Sequence, residues 1–489
     1  MPKAISSPAG ASLRLAALLL AFPAVAELTL HPCELTGSQG ANRVGAHCGS
    51  LEVPEDPAKP QGPRIQLFVA RISALNSKPA ADAVTIINGG PGASSVNLYV
   101  DLQQAFSGLR RNRDIVLVDQ RGTGRSGALP CPALETAMDA YAAKRVRAAT
   151  RQCLTDLTPD PRHYTTSIAV QDLERVRLTL GYDQWNIYGV SYGTRVAQHY
   201  ARRYPNAVRT LTLDGVVPPQ ASLGPDIALD AQATLDALLS RCGQNRACSQ
   251  AFPALESKLA SLSTRLRDAP VALQPAHPVT GQRQAFTLTY PHLASTLRLL
   301  SYAPETASLI PLIINEASEK QNYLPLATQA MRIETEVIGA ISLGMHNSVI
   351  CTEDVPFYGN RQIPWDKLDA TYLGGDQVRA LKTICEVWPA GSIDADFKQP
   401  LETNVPTLLL SGEFDPVTPP SAAALAQTGL PHSLHVVAPG QGHGVVGRGC
   451  IPALLSDFVE RGRLETLRPS CVDRLKPAPF FVDLMGPAP

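Results

Sequence analysis

Apolar positions along the chain follow two rhythms. Short β-branched runs ending on turn residues recur as AVTIINGGPG (83–92), DIVLVDQRGTG (114–124), WNIYGVSYG (185–193), VRTLTLDGVVPP (208–219), VPTLLLSGEFDP (405–416) and LHVVAPGQGHG (434–444). Nearly continuous apolar strands that alternate with helical stretches belong to a mostly parallel sheet covered on both faces, so the fold class is α/β. Between residues 220 and 399 the strand rhythm gives way to helical spacing, as in DIALDAQATLDALLSRC and YPHLASTLRLLSY. This predicts a core in two parts, 27–219 and 400–489, interrupted by a helical cap at 220–399 that leaves and rejoins the sheet at strand ends. The cap is expected over the carboxyl ends of the strands, where such sheets bind their ligands. The closing KPAPFFVDLMGPAP reads as a surface tail.

A length of 489 residues and a 44% hydrophobic content fit a large core with an insertion. Lys and Arg total 43 and so do Asp and Glu, which removes the electrostatic case for nucleic acid or an anionic membrane surface. The first residues carry Lys3 and Arg14, an apolar run from Leu15 to Val25, and Ala24-Val25-Ala26 before Glu27. That is the layout of a secretory signal peptide, 1–26, and the run is shorter than the ~20 residues that span a bilayer. A secreted or periplasmic location and no membrane attachment after cleavage are expected. The ten cysteines suit an oxidising compartment and fall in order into neighbouring pairs: Cys33 with Cys48, Cys131 with Cys153, Cys242 with Cys248, Cys351 with Cys385, Cys450 with Cys471. Sequence alone leaves the connectivity open. No C-x-x-C pair and no histidine at ligand spacing accompanies them, so structural bridges are expected and no metal site.

Within YGVSYGT, Ser191 stands between glycines after the strand WNIYGV and before TRVAQHYARRYP, which reads as a helix with Val196 and Tyr200 on one face. A serine on such a strand-to-helix turn presents its hydroxyl and acts as a nucleophile. It needs a base and a carboxylate, and the chain order of this elbow places them after later strands. Asp415, followed by Pro416, is the candidate acid, with Glu413 its rival; His443, between Gly442 and Gly444, is the candidate base, with His432 and His435 read as structural. The loop NGGPGAS (88–94) is suited to hold an oxyanion, with a second donor from the residue after the nucleophile, Tyr192.

NGGPGAS, VDQRGTGRSG, YGVSYGT, GEFDPVTP and GQGHG, in this order, resemble the α/β-hydrolases of the prolyl aminopeptidase and tripeptidyl aminopeptidase family, from about Val84 to Cys471. The resemblance implies the α/β-hydrolase fold, a Ser191–Asp415–His443 triad, oxyanion donors at Gly90 and Tyr192, and no cofactor. It implies a peptide substrate with a free N-terminus. Asp119 and Arg121 would tie loops near the site. Asn88 departs from the histidine usual in prolyl aminopeptidases, which opens release of a short peptide beside release of one residue. An aminopeptidase must hold an ammonium group, and Glu353 beside Asp354, in the cap after Cys351, is the candidate anchor. Trp388 in CEVWP is a candidate pocket wall. A carboxylesterase with the same triad, and an inactive hydrolase fold used for binding, are the alternatives.

Overall fold

A computed structural model describes residues 1, 28–38, 40–137, 142–335, 340–360 and 363–487. Apart from Met1, the expected signal peptide lies outside the described residues. One sheet of nine strands organises the core, in the order β1-β2-β3-β5-β4-β6-β7-β10-β11. The six runs singled out from the sequence are its parallel part: β4 (Ala83–Ile87), β5 (Ile115–Val118), β6 (Trp185–Val190), β7 (Val208–Asp214), β10 (Thr407–Gly412) and β11 (Ser433–Ala438). The remaining three, β1 (His31–Thr36), β2 (Arg43–Pro54) and β3 (Arg64–Ile72), are antiparallel and extend one edge. Their absence from the sequence reading has a physical cause. In β2 buried Val44, Ala46 and Leu51 alternate with exposed residues, so the strand never shows the continuous apolar run of a sheet interior.

Both faces of the parallel strands are buried. Leu409, Ile187, Leu211 and Leu213 pack on one side with Val196 and Tyr200 of the helix Tyr192–Arg203. Leu408, Leu410, Ile86 and Tyr188 pack on the other with Val100 and Phe458. Neighbouring residues of one strand therefore serve opposite layers, as the two-residue period of a strand requires. Between β7 and β10 the chain forms helices, among them Pro225–Gln244 and Tyr290–Leu300, and a small hairpin, β8 (Val271–Leu273) with β9 (Phe286–Leu288). Leu235, Leu262, Leu297 and Ile313 give this insertion a core of its own.

Disulfides join Cys33 to Cys48, Cys131 to Cys153, Cys242 to Cys248, Cys351 to Cys385 and Cys450 to Cys471. No helix among the described residues is long and apolar enough to cross a membrane. The tail is tied down more than a free end: Phe480 is buried, and the Phe481 N–H donates to the Ser308 carbonyl of the cap.

Candidate active site

Ser191 holds a backbone of φ 56° and ψ −130° between β6 and its helix. For a residue with a Cβ this costs about 1–3 kcal/mol, so the surroundings must enforce it. They do so by crowding and by hydrogen bonds. A Cβ on Gly193 would stand 2.3 Å from the Ile87 carbonyl oxygen, and one on Gly189 2.5 Å from the Gly193 oxygen. The Ser191 N–H donates to the Asp214 carbonyl at 2.9 Å, and the Thr194 hydroxyl donates to the Ser191 carbonyl at 2.6 Å.

The loops after β10 and β11 bring Asp415 and His443 together, with Nδ1 2.8 Å from Oδ2. Oδ1 of Asp415 accepts the N–H groups of Val417 and Thr418 at 2.9 Å each, and the Thr418 hydroxyl donates to Oδ2 at 2.7 Å. This hydroxyl also lies 3.1 Å from His443 Nδ1. Thr418 was not singled out from the sequence, although its place three residues after Asp415 is the spacing of a side chain that folds back on its own turn. Burial disfavours the charged imidazole of His443. The charge and hydrogen bond of Asp415, with the charge of Asp214 behind them, outweigh burial and hold its pKa above the ordinary value, against an opposing push from Arg298.

The rival residues have other work. Glu413 Oε2 accepts the Gly440 N–H at 2.7 Å and braces the histidine loop. His435 lies within β11, 3.0 Å from the Ser411 hydroxyl, and the His432 carbonyl accepts the Thr407 N–H.

In NGGPGAS, the Asn88 side chain donates to the Ser94 carbonyl at 2.8 Å and accepts the Gly89 N–H at 2.7 Å. That engages Gly89 and leaves the N–H groups of Gly90 and Tyr192 without a partner among the described residues. The Gly90-Pro91 bond is cis, and a Cβ on Gly89 would fall 2.7 Å from the Ser191 Cβ, so the loop is packed directly against the nucleophile. Asp119 secures the loop by accepting the Ser94 hydroxyl at 2.7 Å and the Val96 N–H at 3.2 Å. Arg121 pairs with Asp172 at 2.7 Å, tying the strand-β5 loop to the helix Thr166–Leu180.

The cap touches both loops. The Ser342 N–H donates to the Gly92 carbonyl at 3.0 Å, while the Tyr302 carbonyl accepts the His443 N–H at 2.8 Å and the Tyr302 ring meets the imidazole edge-on at 5.0 Å.

For the cap residues the sequence expectation is corrected. The Glu353 side chain is wholly enclosed, its Oε1 accepting the Thr166 N–H at 2.7 Å and its Oε2 the Thr166 hydroxyl at 2.8 Å, with Arg195 3.8 Å away. Asp354 is spent on Arg195 at 2.9 and 3.1 Å, the Leu223 N–H at 2.8 Å and Lys398 at 3.5 Å. Burying these acids is tolerable only because they are paired, and the pairing takes them out of use for a substrate ammonium. Trp388 packs with Cys131, Cys153, Cys351 and Ile384 and donates Nε1–H to the Ser348 hydroxyl, so it fills the cap's underside. A different acid is unspent: Asp230, on the cap helix Pro225–Gln244, has no hydrogen bond or ion pair among the described residues. Burial and the charges of Asp226 and Asp415 push its pKa up to about 6.

Two family models match separate stretches of the chain. The family described as alpha/beta hydrolase fold matches residues 82–270, and that described as TAP-like protein matches 370–471. The chain is an α/β hydrolase with a TAP-like closing segment. This hydrolase is 26% identical over 404 residues to YuaR of Escherichia coli (76% of this chain, 77% of that one). It is 30% identical over 208 residues to tripeptidyl aminopeptidase of Streptomyces lividans, covering 37% of this chain and 39% of that enzyme. Against proline iminopeptidase of Xylella fastidiosa it is 31% identical over 140 residues, 28% of this chain and 33% of the relative. The alignments with the two named peptidases thus span well under half of either relative.

Proposed function

We propose that this hydrolase is an exported serine exopeptidase that releases residues or short peptides from free N-termini. His443 takes the Ser191 proton, Oγ attacks the scissile carbonyl, and the N–H groups of Gly90 and Tyr192 receive the oxyanion. Collapse expels the amine, which leaves with the proton from His443, and water then hydrolyses the acyl-enzyme. Export is supported by the five disulfides and by the leader-like layout of residues 1–26.

The observation that carries the exopeptidase reading over the esterase reading is Asp230. An ester needs no charge partner in the cap, whereas a carboxylate with no cation partner among the described residues, near enough to Asp415 to feel its charge, matches a substrate ammonium. A pKa pushed up to about 6 signals a charge that an arriving cation would relieve. Paired substrates test this: a free-amine peptide, its N-acetyl form and a small neutral ester. The expected result is that acetylation abolishes peptide turnover and that Asp230→Asn lowers kcat/KM for the free-amine peptide by about 10–100-fold while the ester changes little. Equal turnover of acetylated and free peptides, with esters preferred, sinks the exopeptidase reading in favour of an esterase. If Ser191→Ala removes no activity, the fold serves binding instead.

A further inference from the structure

Arg298 lies in the last turn of the cap helix Tyr290–Leu300, four residues before Tyr302. Its Nη2 donates to the Tyr302 hydroxyl at 3.3 Å, and its Nε is buried with no acceptor among the described residues. Among the described residues no carboxylate stands within ion-pair distance of it. A guanidinium has five N–H donors in a planar fork, and a half-buried one with a single long hydrogen bond is unsatisfied in both charge and geometry.

Two acids whose charges reach the same histidines as that of Arg298 are engaged elsewhere. Asp415 is held by His443, Thr418 and Val417, and Asp354 by Arg195 and Lys398. Tyr302, which carries Arg298's one hydrogen bond, is the same residue whose carbonyl and ring hold His443. The cation is therefore one side chain away from the base, and its charge is felt at His443 and at His346, which contacts the Pro91 carbonyl of the oxyanion loop.

We infer that Arg298 receives a carboxylate of the substrate, a specificity that rests on the exopeptidase reading above. The partner that fits a carboxylate and a guanidinium, both unspent in the cap, is a short zwitterionic peptide, its ammonium directed to Asp230 and its anion to the Arg298 fork. The anion is the terminal carboxylate of the peptide or an acidic side chain, and both present the same planar pair of oxygens to the guanidinium.

Three matched pairs, assayed with the mature protein and with Arg298→Gln and Arg298→Lys, decide the matter. They are Ala-Ala against Ala-Ala amide, Glu against Gln 4-nitroanilide, and 4-nitrophenyl hemisuccinate against 4-nitrophenyl butyrate. The wild type is expected to favour the anionic member of the first or second pair by about 10-fold or more in kcat/KM, which identifies the source of the carboxylate. Arg298→Gln should erase that preference and leave the neutral member within about twofold, and Arg298→Lys should restore part of it. A wild type that prefers neither anion overturns the proposal. So does an Arg298→Gln enzyme that loses equally on both members while its pH profile shifts, since Arg298 would then act only on the basicity of His443. If esters turn over and free-amine peptides do not, the exopeptidase reading fails, and the hemisuccinate pair decides the role of Arg298 by the same ratio. Absence of turnover on all three pairs overturns both.

Discussion

Thr418 carries more of the site than its place in a loop suggests. Its hydroxyl and N–H both hold Asp415, and the hydroxyl reaches the same histidine nitrogen that Asp415 addresses. Thr418→Val keeps the shape and removes the donor. We expect kcat to fall by about 5–10-fold with KM nearly unchanged, and Thr418→Ser to recover most of the loss. Steady-state kinetics on one peptide substrate checks this, and a KM effect as large as the kcat effect would count against a positioning role. A second expectation concerns His443, which in the proposed mechanism must be neutral to act as base. Because Asp415 holds its pKa above the ordinary 6.5, activity should fall with acidification through a midpoint above that value, and Asp415→Asn should move the midpoint down as well as lowering kcat. The pH dependence of kcat/KM reads both. The strand-end placement of Ser191, Asp415 and His443 was legible because each follows a parallel strand whose end is marked by glycine or proline. Glu353 was misread because its fate depends on Thr166 and Arg195, 187 and 158 positions earlier in the chain, and nothing local announces that pairing.

Among the elements, β7 does more than fill the sheet. The Asp214 carboxylate at its end accepts the Val445 N–H at 3.0 Å, the Val446 N–H at 2.9 Å and the Tyr188 hydroxyl at 2.8 Å, while its carbonyl takes the N–H of Ser191. One residue thereby fixes the nucleophile strand and the histidine loop in a common frame. Asp214→Ala would leave three buried donors unmet, and we expect a loss of about 3 kcal/mol in unfolding free energy, read from the urea midpoint. A loss below about 1 kcal/mol would show that the loop is held by other contacts. The parallel strands could be read from their apolar runs, but this buckle could not. VRTLTLDG presents Asp214 as one more turn residue, and only the fold shows that it faces two loops at once.

At the scale of the whole molecule, charge balance conceals an uneven burial of acid. Glu353 is pushed up to about 7 by burial, against the charge of Arg195 and the hydrogen bonds of Thr166. A carboxyl whose pKa is higher folded than unfolded binds more protons in the native state. Its contribution is therefore complete below the unfolded value of 4.5 and is lost as pH rises toward 7. The loss is on the order of 3 kcal/mol at about 1.4 kcal/mol per pKa unit. Asp230, pushed up to about 6, adds in the same direction. The wild-type Tm should thus decline between pH 5 and 8, and Glu353→Gln, which resembles the protonated acid, should flatten that decline. A parallel decline in the variant would assign the effect to other groups.

The grip of Tyr302 on the histidine loop ties the cap to the strand ends. The backbone N–H of His443 ends on a cap carbonyl, so a displacement of the cap at Tyr302 would be carried straight to the loop that presents the candidate base. Cap and candidate triad share that one peptide contact, and a change in either is felt by the other.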